Sequence, residues 1–182
     1  MAKRIFVDHV WCKEETDEIG SDDVYIVVFR GNTTPPFSSN VAVHGPGDFW
    51  DDFDSGDEWS QDIPVAKFYP SSVYVVMLVE EDVNRDISGS DVIGAWKSQT
   101  DLTWKSIMLS MGGGSLTAGQ KASAAQGIAN TMMGLSSIYM EFPKGNDDII
   151  GAPKQIVIQE GQKPVVEFKG DGGHYKIRFK VA

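Results

Sequence analysis

Val73-Tyr-Val-Val-Met-Leu-Val-Glu80 is a short run of seven apolar residues, mostly β-branched or aromatic, that stops abruptly at a carboxylate. A run of this length and composition reads as a buried strand. Val24-Tyr-Ile-Val-Val-Phe29 is a second copy of the same idea. The C-terminal segment alternates cleanly: Tyr175, Ile177, Phe179 and Val181 fall on one face, and Lys176, Arg178 and Lys180 on the other. The start, Met1 to His9, reads as a first strand, with Cys12 also in it. Gln155–Gln159 and Pro164–Phe168 read as a hairpin across Glu160-Gly-Gln-Lys163, with Asp171-Gly-Gly173 as the next turn. Roughly eight to ten strands with short connections favour an all-β fold, an antiparallel β-sandwich. One segment breaks the pattern. From Ser115 to Tyr139 the chain is rich in Ala, Gly, Ser and Met, and Ile128, Met132, Leu135 and Tyr139 recur at helical spacing. It is expected to be one helical insertion, about 115–139, covering a face or edge of the sandwich, with Ser115 or Thr117 capping its start.

With 182 residues the chain suits one domain, 1–182, and can bury a core. Its 26 acidic against 16 basic residues give a net charge of −10. That field repels phosphate backbones, so nucleic acid is excluded as a partner, and cations are the natural complement. The single cysteine, Cys12, allows neither an internal disulfide nor a thiolate zinc site. No apolar stretch is long enough to span a bilayer, and Asp8 and His9 interrupt the N-terminus before a signal-peptide core develops. The expectation is a soluble protein, cytoplasmic or exported by a route that needs no such signal.

The chemistry concentrates in a pattern, Asp-x-Ile-Gly, that occurs three times: Asp17–Gly20, Asp91–Gly94 and Asp148–Gly151. The spacings of 74 and 57 residues exclude a tandem repeat. Each copy lies near further carboxylates, which are Asp22 and Asp23, then Glu80, Asp82 and Asp86, then Asp147. Clustered carboxylates repel, and a hard cation removes the conflict. Calcium, with six to eight oxygen ligands and loose geometry, suits irregular loops better than magnesium does. The glycine of each copy would let the chain turn sharply beside the ion.

Thr16 to Tyr25, followed by Ile-Val-Val-Phe29, resembles the first calcium loop and following strand of C2 domains. Val73 to Gly94 resembles that family's third loop, in which an apolar strand ends in alternating carboxylates and a later Asp-x-Ile-Gly opens the next strand. The two stretches cover about a quarter of the chain. The resemblance implies Asp17 and Asp22 as first-loop calcium ligands, and Glu80, Asp82 and Asp91 as third-loop ligands. It also implies an eight-stranded antiparallel sandwich with calcium loops at one end, and calcium-dependent attachment to an anionic membrane surface. The chain departs from the family in three places. Asp23 stands at the usual proline, Glu80 replaces aspartate, and about three extra residues lie around Asn84 to Ser88. Asp23 itself and Asp148, of the third motif, join the candidate ligand set.

Other chemistries find less support. Asp82-Val-Asn84-Arg-Asp86 matches the start of an EF-hand, but Ile87 and Ile93 occupy the positions that need glycine and glutamate. Asp48 to Asp62 holds seven acidic residues among Phe49, Trp50, Phe53 and Trp59, and reads as an ordered, solvated acidic loop; Asp52, Asp54 and Asp57 are its best donors. His9, His44 and His174 are scattered. There is no Gly-x-Ser-x-Gly elbow, Gly112-Gly-Gly-Ser115 lacks a P-loop ending, and no carboxylate pair is singled out for glycoside hydrolysis. The sequence therefore points to a non-enzymatic, calcium-dependent binding module. Two further readings remain open: a membrane-active, toxin-like protein using the 115–139 helix, and a carbohydrate-binding sandwich using Trp50 and Trp59.

Overall fold

A computed structural model describes residues 2–16, 23–44, 53–80, 90–139 and 148–182. The strands are β1 (Arg4–Glu14), β2 (Val24–Asn32), β3 (Ser39–His44), β4 (Glu58–Trp59), β5 (Ile63–Lys67) and β6 (Ser72–Glu80), then β7 (Asp148–Ile149), β8 (Lys154–Gln155), β9 (Val165–Gly170) and β10 (Gly173–Val181). Between β6 and β7 lie two helices, α1 (Ser90–Ser110) and α2 (Ala118–Tyr139).

The strands form two antiparallel sheets. In the first, β1 pairs with β10 along one edge and with β5 and β4 along the other, and β9 follows β10. In the second the order is β3-β2-β6, with β7 and β8 both on the outer edge of β6. The two sheets share a core. Ile5, Val7, Val10 and Cys12 of β1 and Tyr175, Ile177 and Phe179 of β10 pack with Val24, Ile26 and Val28 of β2 and Tyr74, Val76 and Leu78 of β6. The parity of β1 changes midway because Asp8 is the extra residue of a bulge between the Val7–Phe179 and His9–Arg178 pairs. The bulge keeps Val10 and Cys12 inward and turns Asp8 to Arg178.

The other face of the second sheet is also covered. Tyr25, Val27, Phe29, Val73, Val75, Met77 and Val79 pack against Trp96, Trp104 and Met108 of α1 and Ala125, Ile128, Ala129 and Met132 of α2. The layers run sheet, sheet, helix pair. This explains why β2 and β6 read as unbroken apolar runs: both of their faces are dry, so no polar residue alternates.

Three sequence expectations are corrected. The single helical insertion is a helical pair. α2 is the expected helix, capped by Thr117, whose Oγ1 accepts from Gln120 N at 3.2 Å while its own N–H donates to Gln120 Oε1 at 2.9 Å. α1 lies outside that insertion, and Asp91–Gly94 stands in the first turns of this helix, not at the opening of the strand that the resemblance implies. Trp96, Thr100, Trp104 and Met108, each fully or almost fully buried, repeat every fourth residue and give α1 its inner stripe. Finally, the hairpin across Glu160–Lys163 does not form. β8 pairs with β6 in one sheet and β9 with β10 in the other, so this segment crosses between sheets. Its alternation has a different cause, since Ile156 and Ile158 pack on the inter-sheet core while Val157 stays exposed.

Candidate functional site

The sheet register brings together the described residues that flank three acidic segments. In the second sheet Val24 pairs with Glu80, and Glu80 pairs with Asp148. The starts of β2 and β7 and the end of β6 thus form one row at one end of the sheet. From this row depart the segments 17–22, 81–89 and 140–147, which adjoin Asp23, Glu80 and Asp148 respectively. The other sheet reaches the same end. A Cβ on Gly173, at the start of β10, would lie 3.2 Å from Thr16 Cγ2 and 3.5 Å from Ile150 Cγ2.

Glu80 and Asp148 face the same way. Tyr74, Val76 and Leu78 precede Glu80 on the inter-sheet face, and Ile150 follows Asp148 on it. Directly opposed residues of an antiparallel pair have Cβ atoms about 4.5–5.5 Å apart, and like charges so placed repel. Glu80 is only 4% exposed, Asp148 is half-buried, and Asp23 is half-buried beside Val24. Two carboxylates in direct opposition, one of them desolvated, form an arrangement that a cation relieves.

Of the remaining predicted ligands, Asp17, Asp22 and Asp82 lie outside the described residues, and Asp91 occupies the second position of α1. The described residues alone contain no group of three or more His, Cys, Asp or Glu side chains placed to hold a metal. The motif glycines are not equivalent. Gly151 has φ +74°, and a Cβ there would meet Lys169 O at 2.5 Å; Gly94 lies in α1 with open space around it. Gly20 is outside the described residues.

The other candidates fall into structural roles. In the acidic loop Phe53 is buried, with its ring edge-on to Tyr175 at 6.2 Å, and Asp57 O accepts from Cys12 N at 2.9 Å. Asp57 Oδ2 accepts from Asp54 N at 3.2 Å, so these two carboxylates belong to a turn; Asp52 is outside the described residues. His9 contacts Glu58 at 3.1 Å, His174 contacts Glu167 at 2.6 Å, and His44 bonds Val65 O at 2.8 Å. Gly112, Gly113 and Gly114, all with positive φ, close the α1–α2 turn, and Gly114 N donates to Thr33 O at 2.8 Å. The basic face of β10 is met by acids: Arg178 by Asp8 at 2.7 Å, Lys180 by Asp62 at 2.7 Å and Lys176 by Glu167 at 3.8 Å. The apolar side of α2 lies on the sheet, and no helix among the described residues is long and apolar enough to cross a membrane. Compared with models of protein families, with curated proteins and with solved structures, the chain finds no match.

Proposed function

We propose that this chain is a calcium-dependent, non-enzymatic binding module of C2-like design, with its ions held at the end of the sandwich marked by Glu80 and Asp148. The observation that carries this reading is the row Val24–Glu80–Asp148, from which all three flanking acidic segments leave. Glu80 and Asp148 would anchor the ion from the sheet. Asp17, Asp22 and Asp23 would contribute from the first segment, Asp82 from the second, and Asp91 from the start of α1. Gathering so many carboxylates costs repulsion, and a divalent ion converts that cost into affinity while turning the local field from anionic towards neutral or cationic. An anionic membrane surface would then bind only in the presence of calcium. The resemblance that names the family rests on the stretches Thr16–Phe29 and Val73–Asp82, since α1 stands where the family continues as a strand.

Calcium titration by calorimetry, with magnesium as control, tests the ion. Binding should release or absorb heat and raise the melting temperature as ligand linkage requires. A protein with no calorimetric response and an unchanged melting temperature at millimolar-scale calcium is not a calcium module. Sedimentation with phosphatidylserine vesicles, with calcium and with chelator, tests the membrane surface.

A further inference from the structure

We infer that a second site, at the opposite end of the inter-sheet layer, binds a small soluble oxyanion of the phosphate class through Arg30. This inference uses none of the residues of the calcium reading. Along β2 the inward row runs Val24, Ile26, Val28 and then Arg30, so a guanidinium takes the place of the next apolar side chain. Arg30 pairs in register with Tyr74 on one side and Asn40 on the other. It lies six residues from Val24, or about 20 Å along the strand from the acidic row.

The surroundings of this charge are those of a receptor for an anion. No carboxylate among the described residues forms an ion pair with Arg30, although the chain carries a surplus of ten negative charges. Its Nε is buried and makes no hydrogen bond among the described residues. The guanidinium carbon sits 5.1 Å from the centre of the Tyr69 ring, a cation–π contact that holds the charge without neutralising it. Arg30 lines a cavity of about 290 Å³ together with Asn40, Lys67, Tyr69, Val28 and Val65. A partly buried guanidinium held by an aromatic face, with an amide and a second basic residue nearby, matches the planar, bidentate recognition of an oxyanion. A second basic residue, Lys67, in the same lining but from the opposite sheet favours a dianion over a monocarboxylate.

The test titrates the full chain with inorganic phosphate in the presence of chelator, so that calcium plays no part, and follows both calorimetry and the Arg30 Nε–H resonance. Saturable binding that shifts this resonance is expected. Arg30→Gln should weaken binding about tenfold or more, as loss of a charge-assisted hydrogen bond does. Lys105→Gln, remote from the cavity, should leave it unchanged. If Arg30→Gln fails to fold, the Nε–H resonance of the unmodified protein still decides. An unmoved resonance, equal binding by Arg30→Gln, preference for acetate over phosphate, or capture of phosphatidic acid vesicles without response to free phosphate each overturns the inference.

Discussion

Glu80 stands directly opposite Asp148 across the β6–β7 ladder, on the face that meets the other sheet. Replacing Glu80 by Gln should therefore have effects of opposite sign with and without calcium. In chelator, removing one of two like charges should stabilise the fold by about 0.2–1 kcal/mol. With calcium, affinity should fall about tenfold or more, because ligand charge sets affinity in such sites. Paired melting curves with and without calcium check this, and a shift of the same sign in both would break the link between the pair and the ion.

Gly31 carries Trp104. A Cβ at Gly31 would lie 2.3 Å from Trp104 Cε2, and the indole Nε1 donates to Asn32 O at 3.0 Å. Gly31→Ala must push the indole off β2 and should cost about 1–3 kcal/mol by overpacking. Urea denaturation measures it; a neutral result would mean that α1 can slide without loss.

The three Asp-x-Ile-Gly copies should respond unequally to alanine. Gly151→Ala meets both a left-handed backbone, costing roughly 1–2 kcal/mol, and the Lys169 carbonyl. Gly94→Ala enters open space in a helix and should stabilise by about 0.5–1 kcal/mol. Equal effects at the two positions would contradict the different backbones described.

Asp8 is a buried carboxylate held by Arg178 Nε at 2.7 Å and by Lys163 at 3.4 Å. Burial alone would raise its pKa, but the hydrogen bond and charge of Arg178, aided by Lys163, carry it below the ordinary value of 3.8. A depressed carboxylate contributes stability above its unfolded pKa and loses it as pH falls through the folded one. Asp8→Asn should cost about 1–3 kcal/mol at neutral pH. The gap between the two proteins should stay constant down to about pH 4.5 and close in stronger acid. Thermal melts across that range check it.

His44 ties the sheets together, since its Nε2 donates to Val65 O at 2.8 Å across the layer. Burial lowers its pKa from 6.5, and the bond to Val65 opposes the shift without cancelling it. The folded state thus favours the neutral ring. Its contribution is complete above pH 6.5 and declines as pH falls through the lower folded pKa. Nuclear magnetic resonance should place the His44 titration below that of a free histidine, and His44→Gln should flatten the stability profile between neutral pH and pH 5.

Much of the scaffold was legible because its signals are local. The alternation of Tyr175 to Val181, the turn at Asp171 and the dense runs of β2 and β6 each announce themselves within ten residues. The length of those two runs was in fact the trace of a second covering layer. A one-faced sandwich strand would alternate, and Val73–Val79 does not. The helix that supplies half of that layer stayed hidden behind the acidic segment before it, although Trp96, Thr100, Trp104 and Met108 already showed the four-residue step. The row that brings Glu80 to Asp148 could not be read at all, because register between distant strands is set by the whole sheet. Arg30 is illegible in sequence for the same reason: a lone arginine after an apolar run looks like a strand end until the opposing sheet is in view.

The second sheet is a party wall. Strands β2 and β6 give one face to the sandwich and the other to the helices, so neither compartment can be dismantled while leaving the other with a finished boundary. Melting should then be all-or-none, and the amides of β2 and β6 should be the last to exchange with solvent. A ligand taken at either end of this wall would be felt as stability throughout the molecule.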